Sequence, residues 1–316
     1  MINKKGFEFS FAWLFAIIVG AAIIFFAIYA TTNLISTERR VGDSESAKQI
    51  GILLSPIETS LEDVKTAEIT FPTETRLLND CYEKGNFGRQ NIQVSSKLGV
   101  GKEFDFPGEP STFYNKYIFS EEIVQAKRMK VFARPFSFPF KVADLTFIFN
   151  ADRTICFINP PGEIEEEMTD LNLENIKIVD SLDECDEGRK ICFDLVNRNC
   201  DAEVSTLSNS VKIDNKIMYY GDDFDNALLY GTIFSTPEIY ECQLKRLMKR
   251  TSELSLLYLE KTEYLTAKGC SSNLESGLRT LADGSAAINS SFGIRNLETT
   301  ADELGRRNAQ LICRLF

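Results

Sequence analysis

The chain has 316 residues, of which 44% are hydrophobic and 26% charged, a composition that supports folded structure with a substantial core. Its net charge of −11 disfavours nucleic acid and anionic lipid surfaces as partners, since both reward Lys and Arg. It has no histidine, which removes the commonest general base and the commonest transition-metal ligand.

The first element is a long apolar run, free of charge from Phe9 to Ile35. About 20 apolar residues in a helix cross the roughly 30 Å core of a bilayer. Backbone polar groups in lipid must pair within their own segment, so helix is the expected state. Residues 1–35 therefore read as a tail and a transmembrane helix, with membrane lipid as the first partner. Ala12, Ala16 and Gly20 recur every four residues and share a face. They form a candidate self-association stripe in a segment where small residues are common anyway, the C-terminal helices being the alternative surface for self-association.

Lys4-Lys5-Gly6-Phe7, followed directly by this helix, resembles a type IV pilin-like, or class III, signal. The resemblance covers about the first 35 residues. It implies cleavage between Gly6 and Phe7 and a mature helix that is both anchor and assembly surface. The family's Glu, fifth after the cut, is replaced here by Phe11, and Glu8 stands at the second position. Two other readings remain: an uncleaved signal anchor, and a cleaved secretory signal with Ala30 as its small residue. The remainder resembles membrane-anchored envelope proteins of archaea, a likeness that implies no activity.

Residues 36–70 predict a juxtamembrane helical stalk. Ile50, Leu53, Leu54, Ile57, Leu61 and Val64 recur at helical spacing, and Ser55-Pro56-Ile57-Glu58 reads as a restart, giving two helical pieces that end before Phe71-Pro72. Residues 71–235 predict an α+β ectodomain. Its expected strands include Asn91–Val94, Lys130–Phe140 as an edge strand or extended loop because of Pro135 and Pro139, Asn175–Val179 and Lys190–Val196. Leu145–Phe149 and Thr154–Ile158 flank a four-residue turn and predict a hairpin; Val211–Tyr220 predicts another around Asp214-Asn215. A short helix opens at Pro160-Pro161-Gly162. Its Glu163, Glu165, Glu166, Glu167 and Asp170 read as a solvated face.

Residues 236–316 predict three antiparallel helices. The first is capped by Thr236 and carries the seam Tyr240, Leu244, Leu247, Thr251, Leu254, Tyr258, Lys261, Leu265. Eight cysteines all follow the anchor. Disulfides, buried thiols and a metal site are all open to such a set, and the even number beyond a membrane segment favours disulfides in an oxidising compartment. A helix of about 27 residues is ~40 Å long, and bonded Cα atoms lie within about 7 Å, so Cys242 and Cys270 at its two ends cannot pair. Cys270–Cys313 is the first-choice bond and Cys81–Cys242 the second, with the partners of Cys156, Cys185, Cys192 and Cys200 left open.

Asp222, Asp223 and Asp225 are weak candidates for a hard cation, since clustered carboxylates suit Ca²⁺ but lack EF-hand spacing, and acidic residues are ordinary ahead of a helix. Asn289-Ser290-Ser291 is a glycosylation sequon at a predicted turn. No nucleophile-elbow, phosphate-loop or dinucleotide motif appears, and no catalytic residue or cofactor is assigned. The expected function is a single-pass envelope protein, N-terminus cytoplasmic and C-terminal domain outside, with a structural or interaction role. A pilin-like subunit is its specific form. A membrane-tethered enzyme or solute-binding module is the alternative, and a cytoplasmic domain with reduced cysteines a third.

Overall fold

The computed structural model describes residues 11–59, 66–97, 103–195, 199–221 and 226–316, with the backbone alone for 32, 35–40 and 52–59. The chain is α+β. Helix α1 (Phe11–Thr59) has 49 residues, which at 1.5 Å each makes it about 70 Å long. Its stretch Phe11–Thr31 is apolar, long enough to cross a membrane, and nowhere buried. Asp43, Ala47 and Ile50, spaced four and three apart, are buried on one face. Over residues 36–59 the expected two-piece stalk is one helix that includes Pro56, while Leu61 and Val64 lie outside the described residues.

Six strands form a first sheet: β1 (Thr66–Tyr82), β2 (Arg89–Ser96), β3 (Ser111–Phe113), β4 (Tyr117–Phe119), β5 (Ile123–Ser137) and β6 (Lys141–Asn150), ordered β3-β2-β1-β5-β6-β4. Only β4, beside β6, is parallel to its neighbour. A second sheet holds β7 (Ile155–Ile158), β8 (Ile176–Val179), β9 (Arg189–Phe193), β10 (Ala202–Ser205), β11 (Ser210–Ile213) and β12 (Lys216–Tyr219), ordered β12-β11-β10-β9-β7-β8. It is parallel from β8 to β10 and antiparallel beyond. Helix α2 (Gly162–Asp170) crosses between β7 and β8; α3 (Ala227–Phe234), α4 (Pro237–Ala267), α5 (Glu275–Ala286) and α6 (Arg295–Gln310) complete the chain.

The first sheet is a central layer because its strands alternate. Ile118 and Ile148 face the cluster under α1 with Ile50, Leu77, Ile92 and Val131. Their neighbours Tyr117, Phe119 and Phe147 face the opposite, larger core. That core also takes residues from the second sheet and from α3 to α6, so the change to helix at 236 is a change of secondary structure, not of core. Helix α3 is buried along its whole length. Its Phe234 stacks on Phe149 at 4.7 Å between centroids and reaches Phe157 of the second sheet at 6.4 Å.

Three expectations are corrected. The hairpin of 145–149 with 154–158 does not form. β6 pairs with β5, whereas β7 enters the other sheet between β8 and β9. Both strands are buried on both faces, as befits sheet interiors. Secondly, β5 is a central strand, paired with β1 and β6. Among the described residues its pairing with β1 runs only to Phe132, short of Pro135, which pairs with Asp144 of β6. Thirdly, residues 66–70 begin β1 instead of ending the stalk. Pro72 sits at the register shift between Thr70 and Thr75, a bulge that absorbs the missing donor. The hairpin around Asp214-Asn215 forms as β11–β12, both turn residues having positive φ (48° and 66°).

Candidate functional site

The cysteines form four disulfides: Cys81–Cys242, Cys156–Cys185, Cys192–Cys200 and Cys270–Cys313, with Cα separations of 6.1, 6.3, 5.9 and 6.1 Å. Cys81–Cys242 ties β1 to the first turns of α4. Cys270–Cys313 closes the helical region where α4 ends. The two short-range bonds brace the second sheet. Ala12 and Ala16 are exposed on α1, and Gly20 has no atom within 4 Å of the place a Cβ would occupy. Gly6, Phe7, Asp222, Asp223 and Asp225 lie outside the described residues. Asn289 is exposed before α6, whereas Ser291 is buried. The Ser291 hydroxyl donates to Glu241 Oε1 at 2.5 Å and accepts from the Tyr219 amide at 3.1 Å. A sugar would have to be added at Asn289 before that hydroxyl is enclosed.

Glu167 departs from the solvated face expected for α2. It pairs with Arg134 of β5 at 2.6 Å and accepts from the Tyr230 hydroxyl. Burial first, then the charge of Glu167, raises the Tyr230 phenol above its ordinary range.

A cleft of about 730 Å³ opens where the two sheets meet the start of α4. Its walls are the β4–β5 connection (Glu121, Glu122), the second sheet (Arg189, Glu203, Lys212), and the α3–α4 junction (Ser235 to Pro237). Arg189 lies at the first position of β9, where its backbone amide bonds Thr154 O at 2.9 Å. The preceding Gly188 has φ +137°, and a Cβ there would stand 2.7 Å from Thr154 O, so this approach requires glycine. Arg189 also lines a second cavity of about 200 Å³ together with Phe149 and Phe234. Burial pushes its guanidinium below the ordinary range; Glu121 opposes this, Arg153 adds to it, and Asp201 and Asp214 oppose it. Yet its side chain makes no hydrogen bond or ion pair among the described residues. Around it Lys212 pairs with Glu203 at 3.2 Å and Arg153 with Glu121 at 3.3 Å. A guanidinium of this kind can engage a carboxylate bidentately, and the surrounding carboxylates can hold ammonium groups.

A second polar constellation is sealed within the fold. Arg246 of α4 is fully buried and donates to the carbonyls of Phe87 (3.0 Å), Lys116 (3.1 Å) and Tyr114 (3.1 Å) and to Gln243 Oε1 (2.8 Å). Its guanidinium lies 4.8 Å from the Tyr117 ring centroid. Gln243, Gln90 and Asn79 all donate to the Ile118 carbonyl. The group holds the connections around β2 and β4 onto α4. It offers no open face, so its role is structural.

No protein-family model, curated protein or solved structure matches the chain. The sequence had not singled out Arg189 or Arg246. Arg246 had a signal: it stands three residues after Gln243 and two after Leu244, beside the apolar seam of α4. Arg189 had none, because the cleft is made by three segments distant in sequence.

Proposed function

We propose that the protein is a single-pass membrane protein whose disulfide-bonded α+β domain stands outside the cytosol in a structural or interaction role, with pilin-like assembly as the specific form. The observation that carries this reading is α1. The helix that is apolar and exposed over Phe11–Thr31 continues unbroken into a second half that is docked on the first sheet. Asp43 accepts from the amide and hydroxyl of Ser96 at 3.1 and 2.5 Å, and Ser44 accepts from the Glu109 amide at 2.8 Å. One element thus both enters the apolar phase and carries the domain. Four disulfides suit an oxidising compartment.

The test is thiol labelling of intact cells making the full chain, with a membrane-impermeant maleimide. Labelling only after treatment with an impermeant reductant is expected. Labelling that needs permeabilised cells and no reductant would place the domain inside and end the reading. A mature N-terminus at Phe7, read by mass spectrometry, supports the pilin-like form; an intact leader removes it.

A further inference from the structure

We propose that the inter-sheet cleft binds short basic peptides through their free C-terminal carboxylate, which Arg189 receives. Of the cations lining the cleft, Arg189 is the one without a side-chain hydrogen bond or ion pair among the described residues, although Glu121, Asp201 and Asp214 lie near it. Lys212 and Arg153 are each engaged by a carboxylate. A half-buried guanidinium with no side-chain bond of its own can receive a planar carboxylate bidentately. The first turn of α4, at Thr236 and Pro237, lines the same space and adds the positive end of a 31-residue helix.

The rest of the cleft carries the opposite sign. Glu122, Asp201 and Asp214 line it and make no ion pair among the described residues. A dianion such as phosphate would meet Arg189 but also these three carboxylates. A ligand with one carboxylate and several ammonium groups satisfies both sets. The cleft volume, about 730 Å³, lies within the roughly 300–1,000 Å³ usual for small-ligand sites, and so suits a few residues instead of a single ion. This inference is independent of the membrane reading, because every residue it uses lies beyond α1.

The probe pair is trilysine with a free C-terminus and trilysine amide, titrated calorimetrically into the detergent-solubilised full chain near physiological salt. General attraction to an acidic surface favours the amide, which carries one more net positive charge. Recognition by Arg189 favours the acid. The expected result is at least tenfold tighter binding of the acid, with the preference reversed in Arg189→Gln and partly kept in Arg189→Lys. Equal or tighter binding of the amide by the native chain overturns the proposal. So does the absence of saturable binding by either peptide, or competition by inorganic phosphate as effective as by trilysine. The acid–amide comparison on the native chain decides even if Arg189→Gln fails to fold, and unchanged melting of that variant shows that lost preference is not lost structure.

Discussion

A single buried side chain, Arg246, joins segments more than 120 residues apart by hydrogen bonds to three backbone carbonyls. Burial lowers its pKa to about 10, against the pull of Tyr117, so the charge persists at neutral pH. Gly88 lies against it: with φ +59°, a Cβ there would fall 2.9 Å from Arg246 Cγ and 2.3 Å from Tyr82 O. Arg246→Met keeps the bulk but strands the carbonyls. It should lower unfolding free energy by about 3 kcal/mol or more, measured by chemical denaturation. Arg246→Lys should recover less than half of that loss, since an ammonium cannot reproduce the planar fork. Residues of this kind are hard to find in a sequence. An arginine on a helix normally reads as surface, and only the fold reveals that carbonyls from the β1–β2 and β3–β4 connections converge on it.

At the scale of elements, strongly periodic helices were legible and connections were not. Thr236 caps α4 by accepting from the Ile239 amide, and Tyr240, Leu244, Leu247 and Thr251 of its seam are buried. The partners of β6 and β7 were not legible, because a buried strand carries no alternation to say which sheet it joins. β1 was missed for a different reason: its Glu, Thr and Pro72 interrupt the apolar pattern that marks a strand. The docking of α1 gives an element-scale test. Asp43→Ala removes the acceptor for both Ser96 groups and should cost about 1–3 kcal/mol locally. Faster amide exchange in 41–51 and 89–96, with α4 unchanged, is the expected readout. Four lysine-paired carboxylates give another. Hydrogen bonds from Lys130, Lys97, Lys245 and Lys216 hold Glu68, Glu74, Glu83 and Glu238 respectively below their ordinary value of 4.5. Their contribution is therefore complete above that value and is lost as pH falls through the lowered ones. Melting temperature should decline on acidification below about pH 4.5, less steeply in high salt, because these pairs are largely exposed.

For the whole molecule, the α+β class, the apolar first helix and the three C-terminal helices could be read in advance, since each rests on composition or period. The inter-sheet cleft could not, because no periodicity encodes the meeting of Glu121, Arg189 and Asp214. The disulfides differ in what they do for the whole. Cys81–Cys242 spans 161 residues and Cys192–Cys200 only 8. By chain entropy the first restricts the unfolded chain by about 5 kcal/mol and the second by about 2.5. Replacing both members of each pair by serine should therefore lower stability by roughly 2–3 kcal/mol more in the first case, read from denaturation midpoints.

The unbroken course of α1 has a mechanical consequence. A domain on a loose linker swivels and samples many headings over its membrane. Here the segment that would lie in lipid and the segment bolted beneath β2 belong to the same rod, so tilt or rotation at one end turns the other with it. Stand-off distance and facing direction are then set by the helix, and neighbouring copies would present their inter-sheet clefts in one common orientation.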